Sequence, residues 1–394
     1  MLFQTLDDKG KCAGFYADGE LNLEELPQDH HTATWDYSVH LTGRDVEYAR
    51  LYCEGMSLSQ ACPPEYQQHW SELSARLLAY FRSFSEAKVN LEEHCFYKLV
   101  PERFLLEFFD AKNEITKHIL DTKQKPKNYN FLVELSEVVA DMAQRDLFLD
   151  RNVLKPRLAS KRVRDFWKKI DTHKKIQYNI FGTKTGRLTT KKSSFPILTL
   201  DSTFRSVIKP QNDWLVELDF NAAELRTLLS LAGKEQPKED IHDWNMKTVL
   251  KRAKSREEAK KKVFAWLYNS KSANAALDAI YDRDAVRQKY FNGSQVTTFF
   301  HRTIPADEHH ALNYIIQSTT SDLFLRRMCE VFNFLRDKQS HIAFSVHDSL
   351  VLDIKHDERK YLKEIVEIFG NTELGAFKVN VKAGKDYGNM QEVK

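Results

Sequence analysis

The chain has 394 residues, with 59 Lys and Arg against 56 Asp and Glu, a formal net charge of +3, and 42% hydrophobic and 12% aromatic residues, which predicts a soluble globular protein of more than one domain. No apolar run approaches the roughly 18 residues of a membrane span, and the opening MLFQTLDDKGK lacks the basic-then-apolar pattern of a signal peptide. The cysteines (Cys12, Cys53, Cys62, Cys95 and Cys329) are scattered and contain no CxxC pair, which argues against structural zinc and for reduced thiols in the cytoplasm.

The small net charge conceals an asymmetry. Residues 1–70 are rich in Asp and Glu and hold short mixed elements without a legible pattern. Over residues 69–122 the apolar spacing is helical, through Leu73, Leu77, Leu78, Tyr80 and Phe81 and then Phe104, Leu105, Phe108 and Phe109. Residues 123–127, with Pro126, read as a linker, and 131–150 as a further amphipathic helix. Residues 151–192 then carry fourteen Lys and Arg against Asp165 and Asp171 alone. A basic segment interleaved with Phe166, Trp167 and Tyr178 suits a nucleic-acid backbone better than a merely solvated face. A second basic cluster covers 247–262.

Chemistry-bearing stretches follow in order. In GTKTGRL (182–188), Arg187 sits in a Gly-flanked polar loop, from which it can reach a phosphate or a minor-groove acceptor. WLVELDFNAAELRTLLSLAG (214–233) reads as a short apolar strand, a turn at Asn221, and a helix from Ala222 that stops at Gly233. Asp219 is thereby presented at a strand tip, where a carboxylate faces a metal or substrate, or caps the helix. In REEAKKKVFAWLY (256–268), Arg256, Lys260, Phe264 and Tyr268 recur every fourth residue, forming a helical stripe about 18 Å long. Its cationic and aromatic ends match the triphosphate and base of a nucleotide. A basic-edged amphipathic helix is the plain alternative. In HALNYIIQSTTSDLF (310–324), which resembles a helix of the family named below, Asn313 and Gln317 lie one turn apart, and amides read minor-groove acceptors almost independently of sequence. Finally, IAFSVHDSLVLDI (342–354) predicts a hairpin with His347-Asp348 at its tip.

These stretches, taken together, resemble the motifs of the family A, polymerase I-like DNA polymerases. LDFNAAELR is similar to motif A, the four-spaced stripe to motif B, and HDS to motif C; TGRL and the Asp240-Ile241-His242 tripeptide have family counterparts. Three positions depart from the family pattern: Asn269 stands for a Gly, His309 for an Arg, and Ser349 for a Glu. The match runs from about Phe131 to the C-terminus. It implies an α+β fold with an antiparallel-sheet palm (about 178–233 and 300–394), helical fingers (about 234–299), a thumb either reduced to the basic segment 151–177 or replaced by the helices of 69–122, and an acidic, then helical N-terminal region over 1–130.

The resemblance implies template-directed addition of deoxynucleotides to a primer 3′-hydroxyl. Asp219 and Asp348, with the backbone of Phe220, would hold two Mg²⁺ ions, for which Mn²⁺ can substitute. Arg256, Lys260 and His242 would cradle the triphosphate, Phe264 and Tyr268 would stack on the nucleotide, and Glu224 would exclude a ribose 2′-hydroxyl. Arg187, Asn313, Gln317 and His347 would touch the primer–template. Asp18-Gly-Glu20 echoes the Asp-x-Glu of proofreading exonucleases but is read as chance, so proofreading would be missing or supplied by a separate exonuclease. The expected setting is phage replication in a host cytoplasm, with DNA, dNTPs and a processivity protein as partners and no membrane. A single-subunit RNA polymerase is the nearest rival, opposed by Glu224. A non-catalytic DNA-binding replication protein is opposed by the intact aspartates, and a metal-dependent nuclease by the nucleotide stripe.

Overall fold

The structure, a computed structural model, describes every residue except 9–13, 92, 270, 271 and 394. Cys12 therefore lies outside the described residues; the described cysteines form no disulfide. No described helix is long and apolar enough to cross a membrane.

The chain divides into two compact units, Met1–Gln144 and Arg145–Lys394. The division falls after helix Tyr129–Gln144, whereas the sequence reading put it near residue 130. In the first unit, Gln4–Thr5, Phe15–Ala17 and Glu20–Asn22 form an antiparallel sheet. Asp18 and Gly19 join the last two strands, and both have positive φ (53° and 86°), as a tight two-residue hairpin turn requires. The Asp-Gly-Glu echo is thus a turn. Ala33–Thr34 pairs in parallel with Glu47–Tyr48, so the N-terminal region is not purely helical.

Helices α1 (Pro64–Glu86), α2 (Glu102–Thr122) and α3 (Tyr129–Gln144) follow, and the linker expected at 123–127 separates the last two. The apolar stripe of α2 supplies the unit's centre, with Phe104, Leu105, Phe108, Phe109, Ile115 and Ile119 packed on Tyr16, Trp35, Trp70 and Leu73. Lys112, on the same helix, lies 3.8 Å from Asp36. Burial pulls its ammonium below the usual lysine range, and Asp36 and Asp7 oppose that fall. The segment after α3 leaves helical form: Phe148–Leu149 is a strand paired with Ile208–Lys209, so the helix expected to reach residue 150 stops at Gln144.

In the second unit, α4 (Lys161–Thr172) buries Val163, Phe166 and Ile170 and leaves its lysines and arginines on the opposite face. Phe166 stacks on Phe204 at 4.4 Å. Tyr178 is buried too, its hydroxyl donating to Ser345 O at 2.5 Å and accepting from Ser345 N at 2.9 Å. These two rings belong to the core and are unavailable for stacking on bases, whereas Trp167 is half-buried with the Arg151 guanidinium 5.8 Å from its ring centre.

The central sheet contains β1 (Trp214–Phe220), β2 (His341–Val346), β3 (Ser349–Ile354), β4 (Val379–Gly384) and β5 (Gln391–Glu392), in the order β2-β3-β1-β4-β5, antiparallel throughout. Around it lie α5 (Ala223–Leu231), α6 (Arg256–Tyr268), α7 (Glu308–Leu335) and α8 (Leu362–Gly370). Val216, Leu218 and Phe220 of β1 are buried, and Phe220 stacks on Phe369 of α8 at 4.3 Å. Strand periodicity then turns Glu217 and Asp219 to the other face. Thr320 of α7 donates to Thr227 Oγ1 of α5 at 2.9 Å, both fully buried, which pins the long helix to the short one.

Candidate active site

Strand β1 delivers Asp219 and the β2–β3 hairpin delivers Asp348. Asp219 pairs with Ser349 on one side and Asn380 on the other. Val346 pairs with Ser349, leaving His347 and Asp348 as a two-residue turn, as the apolar flanks predicted. The two aspartates therefore sit at neighbouring strand ends. His347 has φ 54°, a left-handed value for a residue with a Cβ. Such a conformation costs on the order of 1–2 kcal/mol and survives only where its surroundings enforce it.

Burial pushes the Asp219 carboxyl up to about 6; the Asn380 amide at 3.4 Å acts against this, and the charges of Glu217 and Asp348 act with it. Burial likewise raises Asp348, partly offset by Arg187, whose Nη2 lies 3.8 Å away. Both carboxylates are held above their ordinary range mainly by burial, which disfavours their charged forms, and a bound cation would relieve that cost. Their hard oxygen donors fit Mg²⁺, which commonly takes one or two carboxylates and keeps several waters.

Beside the aspartates stands a second constellation. Arg187 Nη2 donates to Glu224 Oε1 at 2.6 Å, and the Tyr268 hydroxyl donates to Glu224 Oε2. Burial, and then Glu224 itself, raises the Tyr268 hydroxyl above its usual range. The loop that presents Arg187 is shaped by Gly186, at φ 80°, where an added Cβ would meet the Arg302 guanidinium at 2.6 Å. Arg302 is held by buried Asp322 at 2.6 and 3.1 Å. Nothing in the sequence marked this pair.

The four-spaced stripe occupies α6 over the predicted residues, with Ser255 as N-cap and Ala259, Val263, Trp266 and Leu267 on the buried side. Phe264 and Tyr268 stack at 5.9 Å with 3° between their planes, and the Lys260 ammonium lies 5.9 Å from the Phe264 ring centre. Arg256 is differently engaged: its Nε and Nη2 donate to the two oxygens of Asp240 at 3.2 and 2.8 Å. Burial opposes the Asp240 charge, but hydrogen bonds from Arg256 and Asn221 prevail and hold that carboxyl well below the usual carboxylate range. His242 is buried, and its Nδ1 has no hydrogen-bond partner among the described residues; burial lowers the imidazole below its ordinary value.

A hub that the sequence reading did not single out joins the strand tip to this region. Arg226 is fully buried, donating to Asn221 O at 2.8 Å, Pro237 O at 2.9 Å and Glu239 O at 2.7 Å. Asn221 Nδ2 donates to Asp240 at 2.8 Å. Ala222, at φ 52°, carries the tight turn between them. An arginine among the leucines of a short helix was the signal available. Asn313 and Gln317 are half-buried one turn apart on α7, as predicted.

The family model for DNA polymerase family A matches residues 285–390, which include α7 and both strands of the Asp348 hairpin. DNA polymerase I of Borreliella burgdorferi is 28% identical over 109 residues, covering 26% of this chain and 12% of that protein. DNA polymerase I of Chloroflexus aurantiacus is 23% identical over 269 residues, covering 54% of this chain and 29% of that protein. The chain thus spans less than a third of the length of either relative. Among solved structures, the POL domain of Pol1 from M. smegmatis, in complex with DNA primer-template and dNTP, superposes with a TM-score of 0.62 at 12% identity. It covers 92% of this chain and 87% of that one. The fold is that of a polymerase domain. The likeness to DNA polymerase family A thus rests on the segment 285–390 and on these partial matches to two DNA polymerase I sequences.

Proposed function

We propose that this chain is a DNA-directed DNA polymerase that extends a primer 3′-hydroxyl with deoxynucleotides on a DNA template, without proofreading by these residues, in the replication of a phage genome. The observation that carries the reading is the meeting of Asp219 and Asp348 beside Glu224, with Glu224 bonded to Tyr268 at the end of the cation-to-aromatic stripe. Asp219, Asp348 and the Phe220 backbone would hold two Mg²⁺ ions. When bound, these supply activation of the primer hydroxyl and neutralisation of the leaving pyrophosphate.

The chain's own side chains do the remaining work, which in phosphoryl transfer is mainly positioning and charge stabilisation. Lys260 meets the triphosphate; it forms no ion pair among the described residues, whereas Arg256 is committed to Asp240 until a ligand displaces that carboxylate. Phe264 and Tyr268 offer faces to the base and sugar. Glu224, fixed from two sides, stands where a ribose 2′-hydroxyl would project. Arg187, His347, Asn313 and Gln317 contact the primer–template. In this reading 178–233 and 300–394 form the palm and 234–299 the fingers.

Primer extension with Mg²⁺ and a labelled primer tests it. Asp219→Asn and Asp348→Asn are each expected to abolish extension and to leave primer–template binding nearly intact. Extension by either variant at the wild-type rate refutes the assignment.

A further inference from the structure

The site face of the sheet carries a second acidic residue on β1, Glu217, which has no part in the chemistry above. It pairs with Val351 of β3 and Lys382 of β4, and its side chain is 17% exposed. Its two oxygens go to different strands. Oε1 accepts a hydrogen bond from Ser349 Oγ at 3.1 Å, and Oε2 lies 3.9 Å from Lys382 Nζ.

Ser349 closes the hairpin that bears Asp348, opposite Val346. Its hydroxyl has one proton and two oxygens within reach, Glu217 Oε1 and, at 3.0 Å, Val346 O. The carboxylate is the stronger acceptor. The β1–β3 ladder ends at the Asp219–Ser349 pair, so the His347-Asp348 turn projects beyond the last backbone pairing between these strands. The same turn contains the left-handed His347, a conformation that needs support from its surroundings. A side-chain bond at the foot of the turn, reaching from the strand that carries Asp219, supplies that support.

We propose that Glu217 is a positioning residue: through the Ser349 hydroxyl it locks the Asp348 hairpin to β1 and so fixes the spacing of the two aspartates for a divalent cation. The proposal rests on the reading of Asp219 and Asp348 as metal ligands. Glu217 acts here as a hydrogen-bond acceptor rather than as a third ligand, which separates the effects of its charge from those of its geometry.

The test is Mn²⁺ affinity, measured by electron paramagnetic resonance on the full chain bound to primer–template, with melting temperature and DNA affinity recorded beside it. Glu217→Ala and Ser349→Ala are each expected to weaken Mn²⁺ binding about 10-fold, the scale of one charge-assisted hydrogen bond. Because both remove the same bond, the double variant should be no weaker than either single one. Glu217→Gln, which keeps an acceptor oxygen, should stay within about 3-fold of wild type, since a neutral acceptor retains much of the bond. Three results overturn the proposal: wild-type Mn²⁺ affinity in Ser349→Ala, multiplied losses in the double variant, or a Glu217→Gln variant as weak as Glu217→Ala. Asp219→Asn separates the two levels of the reading. Unchanged Mn²⁺ affinity there overturns the metal site itself, whereas a loss there beside wild-type binding in Glu217→Ala overturns only the clamp.

Discussion

Asp219 should destabilise the protein that it serves, and the size of that cost can be worked from its surroundings. Burial holds its carboxyl up to about 6, against 3.8 for an ordinary aspartate. Between those values the folded chain keeps a proton that the unfolded chain has already lost. Stability therefore falls as pH rises through this window, and above it the loss is complete and constant. At 1.36 kcal/mol for each pH unit between the two values, the gap is worth about 3 kcal/mol, an upper figure for a side chain that keeps some contact with water. Asp219→Asn removes the charge and retains an oxygen to accept from Asn380, so without divalent cations it should be more stable than wild type at about pH 8 by up to about 3 kcal/mol. At about pH 4 the two should nearly coincide, because wild-type Asp219 is then protonated when folded. Hydrogen exchange of the β1 amides in the presence of a chelator reads this opening energy locally. Adding Mg²⁺ should restore wild type and leave the variant unmoved. A variant no more stable than wild type at about pH 8, or a difference that ignores pH, would refute the account of Asp219 as a charge held in deficit for a cation.

Glu224→Ala should narrow the preference for deoxynucleotides over ribonucleotides and lower the overall rate, since it also frees Tyr268 and Arg187; single-nucleotide incorporation of both sugars measures this, and an unchanged ratio removes Glu224 from sugar selection. Lys260→Ala should cost on the order of 10- to 150-fold in nucleotide efficiency with DNA affinity nearly constant, and loss of DNA binding instead would move Lys260 to the duplex. Gly186→Ala should weaken primer–template binding and lower thermal stability, because its Cβ would press on Arg302 at a φ of 80°; a melting curve identical to wild type would contradict that packing. DNA affinity should fall steeply with added salt, as phosphate contacts by an exposed basic face require, and a flat salt profile would exclude that role for α4.

What could be read from the sequence was local. The stripe on α6, the Asp348 hairpin and the strand–turn–helix around Asp219 are set by periodicity and turn residues within about twenty positions, which pattern reasoning captures. Side-chain contacts escaped it. Glu217 with Ser349 depends on the register of strands far apart in the chain, and Arg302 with Asp322 and the Arg226 hub, though close in sequence, depend on how a loop folds back onto a helix, which leaves no trace in spacing. The basic segment shows the opposite failure. Its aromatics were read together with its charge as suited to a nucleic-acid backbone, because composition cannot tell a ring facing solvent from one facing the core, and Phe166 and Tyr178 face the core. The Asp18-Gly19 turn was readable as a hairpin, but two β-strands of three residues each give too short an alternation to stand out.

The stripe on α6 also divides in a way that equal spacing conceals. Arg256 and Lys260 are one turn apart and carry the same charge, yet among the described residues only Arg256 has a carboxylate against it. Asp240 is fixed on three sides, by the amides of His242 and Asp243, by Asn221, and by Arg256 itself. Through Asn221 and Arg226 it is continuous with the strand tip that carries Asp219. Arg256 therefore does structural work in the chain as it stands, coupling α6 to the aspartate strand. A bidentate guanidinium–carboxylate pair is among the stronger polar contacts a protein makes. A triphosphate arriving at the stripe would meet Lys260 with its charge available and Arg256 with its charge already satisfied. Exchange of Asp240 for phosphate oxygens at Arg256 would then loosen the link between α6 and β1 when the nucleotide binds, so one residue could serve first as a tie and then as a ligand.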